Sequence, residues 1–292
     1  MKNKILVIGD GMLDEYIVGN INRNSPEDEN APIVDVSEKE IRLGGAFNVA
    51  ANLKSLSKKG TQIFVSSIMS EYTAAILNSK KINYDEIVLK NKHSKIPHEG
   101  ELLKTRIING TTGKQIARLD NKLLFDEADI QRYKNKCYYS NFVDFDIIVV
   151  SDYNKGIIDS KMIEKLSNTN IPVFIDSKKS DLSIWKNIPR CYVKINSKEF
   201  KHSINAKDCE HLIVTKGSEG AEYFHKGLLN SFYKTSKVED ADVVGAGDCF
   251  LAGLVVAYSE GNEFDKCLEF ANKVAAASVR ELGTIEVKRH EI

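Results

Sequence analysis

The sequence predicts an α/β protein with a mainly parallel central sheet flanked by helices, and with a small β-strand lid. Three observations predict it. From about residue 126 onward, short apolar strands alternate with helical patterns, which is how a doubly wound parallel sheet with crossover helices is written. Each of those strands ends in a polar group, and such sheets bind ligands beyond their strands' C-terminal ends. Two further β-rich stretches, about 15–43 and 99–120, do not alternate with helices and so stand off the main sheet.

Lys4-Ile5-Leu6-Val7-Ile8 is a continuous apolar run, as expected of a strand buried on both faces. Gly9-Asp10-Gly11-Met12-Leu13-Asp14 follows and places two carboxylates just past that strand's end. Asp14 alone reads as a turn or capping residue. Residues 15–43 read as a loop, Asn24 to Asn30, followed by short antiparallel strands over Pro32–Val36 and Glu40–Leu43. Gly44-Gly45-Ala46-Phe47-Asn48 opens a helix that runs to near Gly60. Its glycine pair fits tight helix–sheet packing, and Asn48 lies one turn in, towards the same edge as Asp14.

A strand (Gln62–Ser67), a helix (Glu71–Lys81) and a strand (Tyr84–Val88) come next. Glu101–Ile108 and Lys114–Leu119 alternate in polarity around Asn109-Gly110-Thr111-Thr112-Gly113, a hairpin signal assigned to the lid. Arg106 and Arg118 lie on these strands, either as solvated edge charges or as a clamp for a phosphate on the sugar side.

The regular region then reads helix to about Asn141, strand Asp146–Val150, helix Asp159–Thr169, and strands at Pro172–Asp176, Tyr192–Ile195 and His211–Thr215. The strand ends carry Asp152, then Asp176 and Lys178, then Asn196 and Glu199, then Thr215-Lys216-Gly217. One such end is unremarkable, but a row of them is the layout of an active-site edge. A hairpin (Gly220–His225, Leu228–Lys234) precedes two apolar helices, Ala246–Ser259 and Phe264–Val279, and a tail containing Gly283-Thr284.

The stretch that organises the chain is Val243-Val244-Gly245-Ala246-Gly247-Asp248, at the start of the first apolar helix. Unpaired backbone N–H groups and the positive end of the helix dipole favour an anion there. Asp248, in the first turn, can take a proton from a hydroxyl while those amides hold charge on a transferring phosphoryl group. The plainer reading is a glycine-rich turn with Asp as a helix-start residue.

Lys plus Arg and Asp plus Glu both number 41, and no long basic run appears, so a nucleic-acid or membrane-surface role has no electrostatic support. Five scattered cysteines without a Cys-x-x-Cys pair are expected to be reduced thiols in a cytoplasm, with no disulfide framework or zinc site. The N-terminal apolar run is too short for a signal peptide or a membrane span. No internal repeat, low-complexity tract or linker breaks residues 1–292, which are expected to form one domain.

Gly44-Gly45-Ala46-Phe47-Asn48-Val49-Ala50 and Asp242-Val243-Val244-Gly245-Ala246-Gly247-Asp248 resemble the two signatures of the ribokinase/PfkB-family carbohydrate kinases, in their order and separation. Within that family, Gly9–Asp14, Asn24-Ser25-Pro26-Glu27, Ser151–Gly156 and Leu282-Gly283-Thr284 are most similar to the kinases that phosphorylate heptose 7-phosphate at its anomeric oxygen. The resemblance implies a ribokinase-like fold, a cytoplasmic enzyme using ATP and Mg²⁺, and a lid that often serves as a homodimer interface. It implies that Asp248 is the base and that Gly245, Ala246 and Gly247 form the anion hole. Asn196 and Glu199 would organise Mg²⁺, Glu199 through water; Thr215, Lys216 and Gly217 would line the phosphate path, with Asn272 and Gly283 near the adenine. Asp14, Gly44, Gly45 and Asn48 would hold the sugar, with Asp152 beside them and Lys178, Arg106 and Arg118 meeting an acceptor phosphate.

The sequence departs from the family pattern at several places. Val244 stands where Thr is usual, which bears on monovalent-cation sensitivity. Asp176-Ser177-Lys178 replaces Asp-Pro-Lys, the segment between Phe200 and His211 is short, and Asp28-Glu29-Asn30 is acidic. Neither a second nucleotidyltransferase domain nor the helix that usually follows Gly-Thr is expected. Two other functions remain open: a kinase for another sugar, sugar phosphate or nucleoside, and a silent ligand-binding protein on the same fold. A binding module needs neither the Asp248 base nor the Asn196/Glu199 pair, and ATP turnover on a panel of sugar phosphates separates all three.

Overall fold

The structure is a computed structural model and describes residues 3–84, 100–121, 127–239 and 241–292. Its main sheet is built on β1 (Lys4–Gly9), flanked by β4 (Gln62–Ser66) and β8 (Ile147–Asp152). Short β5 (Asn83–Tyr84) lies beyond β4, while β9 (Val173–Ser177), β10 (Cys191–Asn196) and β11 (His211–Thr215) extend the other side in parallel. The antiparallel hairpin β12 (Ala221–His225) and β13 (Leu228–Tyr233) completes nine described strands in the order β13-β12-β11-β10-β9-β8-β1-β4-β5. Of the strand expected over Tyr84–Val88, only Tyr84 falls within the described residues.

Neighbouring residues of each inner strand enter opposite cores, as the period of two requires. Ile5 and Val7 pack with Ile147, Val149, Phe174 and Ile213 on one face, and Leu6 and Ile8 with Ile148, Val150, Ile175 and Val214 on the other. The first face is covered by α1 (Ala46–Leu56), α2 (Glu71–Ser79), α6 (Ala246–Ser259) and α7 (Phe264–Ser278). The second is covered by α3 (Glu127–Tyr139), α4 (Ser160–Ser167) and the fully buried Trp185. Continuous β-branched runs suit this two-sided burial, and a slip of one residue would exchange the cores. α5 (Ser197–His202) is a short turn of helix after β10. The segment expected to be short, between Phe200 and His211, has as its only helix beyond α5 a 3₁₀ turn at Ala206–Asp208.

The lid residues form a second sheet, in the order β3-β2-β6-β7. Here the expected loop over Asn24–Asn30 and the antiparallel pairing are found, but the expectation of short strands is corrected. β2 (Gly11–Asn24) and β3 (Pro32–Gly45) are 14-residue antiparallel strands, and only residues 25–31 turn between them. Tyr16, Ile17, Val18 and Ile21 supply enough β-forming side chains to carry β2 through, and Asp14 lies inside it rather than in a turn. β6 (Leu103–Asn109) runs parallel to β2, and β7 (Gln115–Asp120) returns beside it. All five cysteines are buried and unbridged, and no described helix is long and apolar enough to cross a membrane.

Candidate active site

The strand register aligns Gly9 with Ser151, Ser151 with Asp176, and Asp176 with Lys194, so their C-terminal ends form one edge. The N-terminus of α6 faces this edge across a cavity of about 690 Å³ lined by Asp248, Lys194, Lys178, Asn196, Thr215 and Asn272. Gly245, Ala246, Gly247 and Gly217 also line it. Gly245 caps α6 in the left-handed conformation, φ 75°, and no side chain caps the helix; the Ala246 amide turns back to the Val243 carbonyl at 3.3 Å, while the Gly247 and Asp248 amides remain available to an anion.

Asp248 is buried, and both its oxygens are held. Asn48 Nδ2 donates to Oδ2 at 2.9 Å and the Tyr153 hydroxyl to Oδ1 at 3.0 Å. Asn48 is oriented in turn by Asn52, whose Nδ2 donates to Asn48 Oδ1 at 2.9 Å and to the Ile285 carbonyl at 2.8 Å. Burial pushes the Asp248 carboxyl up to about 6, helped by the charge of Asp176 and opposed by Asn48, Lys194 and Tyr153. A carboxyl near 6 is ionised at neutral pH yet basic enough to accept a proton.

Beneath the α6 turn, Lys194 donates to Asp176 at 2.6 Å, both side chains about 3% exposed. Burial alone would raise Asp176, but Lys194 and Lys178 outweigh it and its pKa is lowered. A Cβ on Gly247 would come within 2.7 Å of Lys194 Nζ, so the glycine lets the ammonium close under the turn. The buried Oδ1 of Asp176 has only Lys178, at 3.5 Å.

Asn196 and Glu199 form a capping box on α5: Asn196 Oδ1 accepts from the Lys198 and Glu199 amides, and Glu199 Oε2 from the Asn196 amide at 2.8 Å. The other Glu199 oxygen pairs with Lys178. The Asn-x-x-Glu spacing thus has a local structural purpose, and Lys178 stands at the cavity with Asp176 and Glu199. Its pKa is raised, Asp176 and Glu199 outweighing the effect of burial. Hard carboxylate oxygens beside this cavity, Asp176 Oδ1 lacking a hydrogen bond among them, are the donor set a Mg²⁺–nucleotide takes.

On the other side of Asp248, β2 and β6 bring Asp14 and Arg106 together at 3.4 Å. Gly44 lies close behind Asp14, and a Cβ there would meet Asp14 Oδ2 at 2.3 Å; its neighbour Gly45 caps α1. Arg106 is 9% exposed and also donates to Gln115, while its Nε has no partner. Lys104, on the same strand, lies 4.9 Å above the Tyr153 ring, and among the described residues it makes no ion pair. Burial lowers its pKa, with Asp14 and Asp248 pulling it back.

Arg118 is the cross-strand partner of Arg106 and its charge reaches Asp14, but at the rim of this cluster it pairs with Asp120 and is half exposed. Other expected residues fall outside the cluster. Asp152 is buried with its oxygens taken by Ser177 Oγ and the Asn154 amide at 2.9 and 3.0 Å, so it shapes the loop after β8. Lys216 pairs with Glu222. Gly283 packs on the Tyr16 ring, its amide donating to Asp242 at 2.8 Å, and is not beside Asn272 on the cavity wall. Three residues were not singled out from the sequence: Tyr153, Lys194 and Lys104. Lys194 had a signal, being an ionisable residue inside a buried apolar strand.

The sequence pattern of the pfkB family carbohydrate kinases matches residues 2–291. The chain is 29% identical over 310 residues to the bifunctional protein HldE of Hydrogenovibrio crunogenus, covering 100% of this chain and 62% of that protein. It is 31% identical over 319 residues to the protein of that name from Campylobacter jejuni subsp. doylei, covering 100% and 64%. It therefore spans somewhat under two thirds of the length of these relatives. Among solved structures, ribokinase of Thermotoga maritima superposes with a TM-score of 0.72 at 19% identity, over 98% of this chain and 97% of that one. Phosphofructokinase-2 of Escherichia coli in complex with potassium gives 0.76 at 16%, over 100% and 97%. The fold is ribokinase-like, and the chain belongs to the pfkB family of carbohydrate kinases.

Proposed function

We propose that this chain transfers the γ-phosphoryl group of ATP to a hydroxyl of a sugar phosphate, with heptose 7-phosphate accepting at its anomeric hydroxyl. One observation carries the reading: Asp248 lies between an anion-receptive cavity at the α6 N-terminus and a cationic recess formed by Lys104 and Arg106. The nucleotide phosphates occupy the cavity side, against the Gly245–Gly247 turn, Lys194 and Thr215. The acceptor lies on the other side, with Asp14 receiving a sugar hydroxyl and Lys104 and Arg106 meeting its phosphate. Asp248 takes the acceptor proton, held on line by Asn48 and Tyr153, while the α6 amides and Lys194 stabilise charge on the transferring group. Asp176 and Glu199, the latter through water, would hold Mg²⁺, which when bound neutralises phosphate charge.

The heptose assignment rests on the stretches after β1, at Asn24–Glu27, at Ser151–Gly156 and at Leu282–Thr284, and on the relatives named HldE. Val244, which lacks a hydroxyl beside the turn, bears on whether a monovalent cation assists. The second sheet exposes Val36 and Leu119, each about half accessible, on strands at its two edges, and we assign the homodimer contact to that sheet. The functional test is ATP turnover over a panel of sugars, sugar phosphates and nucleosides. Heptose 7-phosphate should give the highest kcat/KM, and a nucleoside or free sugar that outperforms it would overturn the assignment.

A further inference from the structure

We infer that Glu210, His211 and His225 form a site for a borderline divalent metal such as Zn²⁺, apart from the kinase centre. His211 opens β11 and His225 closes β12, and the two are direct cross-strand partners. The Lys226 amide donates to the Glu210 carbonyl at 2.8 Å, which makes the adjoining His211–His225 pair the non-hydrogen-bonded kind, whose side chains stand closest. Their Nδ1 atoms are 3.3 Å apart, and a Glu210 oxygen lies with them in a cluster no wider than 4.8 Å. Two nitrogens each about 2.05 Å from one tetrahedral zinc are about 3.3 Å apart, so the imidazoles already hold one edge of the tetrahedron.

The histidine ring that matters most is also fixed in orientation. His211 stacks on Tyr192 with centroids 4.6 Å apart, and its Nδ1 lies 2.7 Å from the Tyr223 hydroxyl. That single nitrogen has one proton or one lone pair to offer, yet faces both Tyr223 and His225. A metal between the rings uses both lone pairs, and Tyr223 gives up its contact. Glu210 is exposed, and its 3.7 Å ion pair with Lys226 is worth little, so it is free to turn in as the third ligand. Water fills the fourth position. The site is at the end of β11 opposite Thr215, about 13 Å along the strand from the nucleotide cavity. There it clips the antiparallel hairpin to the parallel sheet. Cysteine spacing, on which zinc was discounted from the sequence, carries no trace of a His/Glu set, and all five cysteines, Cys209 beside Glu210 included, are buried.

The test is calorimetric titration of Zn²⁺ into tag-free, chelator-stripped full chain with Mg²⁺ in excess, followed by thermal unfolding. One equivalent should bind, with Kd on the order of micromolar or tighter, and raise Tm. His225→Gln should abolish that equivalent and the Tm shift while leaving Mg²⁺-dependent kinase turnover unchanged. Glu210→Gln, at an exposed position that cannot compromise folding, should weaken binding on the order of tenfold, and it decides the matter if His225→Gln does not fold. No stoichiometric binding, or binding that Glu210→Gln leaves unchanged, would overturn the site.

Discussion

The Tyr153 hydroxyl donates to Asp248 Oδ1 at 3.0 Å, while the ammoniums of Lys104 and Lys178 stand over the same phenol ring at 4.9 and 5.6 Å. One side chain therefore touches the proposed base and both flanking cations. Its hydrogen bond favours the charged carboxylate. Tyr153→Phe should lower kcat on the order of tenfold and move the acidic limb of the pH–rate profile upward from about 6. A limb that stays in place or moves down would remove Tyr153 from control of the base.

Asp248→Asn should abolish turnover, by on the order of 10²–10⁴, with ATP binding retained. It also carries a stability prediction with a definite sign. The folded-state pKa of Asp248 is raised by burial from 3.8 to about 6, so the folded chain binds this proton more tightly than the unfolded one. That contribution is complete below about 4 and is lost as pH rises through about 6. Asp248→Asn should therefore gain stability relative to wild type between pH 5 and pH 8, by about 1.4 kcal/mol, since about one unit of the titration lies above pH 5 at 1.36 kcal/mol per unit. Thermal unfolding of both proteins across that range is the check, and a relative loss at pH 8 would refute the burial cost.

Glu199→Gln keeps an acceptor for the Asn196 amide, so α5 should survive, but it loses the charge facing Lys178. The Mg²⁺ concentration for half-maximal rate should rise more than the sugar KM does. If only the sugar KM changes, the metal role assigned to Glu199 is wrong.

Neutralising the acceptor-side cations separates phosphate recognition from support of the fold. Lys104→Met and Arg106→Met should each raise KM for the sugar phosphate about ten- to hundredfold and spare KM for ATP. Arg118→Met should do little, because Arg118 is half exposed and paired with Asp120. Lys178→Met should act on ATP instead, from its place between Asp176 and Glu199. Equal losses on phosphorylated and free sugar would mean that Lys104 and Arg106 only hold the lid sheet together.

The main sheet was legible because buried parallel strands must be apolar on both faces, and Ile5 to Ile8 and Ile147 to Val150 say so residue by residue. The α6 turn was legible because Gly-Ala-Gly-Asp opens an apolar helix and stands with a row of polar strand ends in the same chain. β2 was misjudged because Glu15, Asn20 and Asn22 interrupt its apolar residues, and a lone sheet buries only part of each strand. Side-chain partners were the least legible part. Asn48 was read as a sugar ligand, and only the packing of α1 against α6 shows its amide on Asp248. Lys178 and Arg106 both looked like free cations in the sequence, yet their carboxylate partners, Glu199 and Asp14, lie 21 and 92 residues away and sort them to opposite sides of Asp248.

The central claim is phosphoryl transfer from ATP to a sugar phosphate with Asp248 as base, and phosphorus NMR of the product tests it most directly. Wild-type chain with Mg²⁺, ATP and heptose 7-phosphate should form ADP and, in equal amount, a second sugar-phosphate resonance coupled to the anomeric proton. Asp248→Asn should form neither. ADP accompanied only by inorganic phosphate, or the same product at an undiminished rate from Asp248→Asn, would contradict the account.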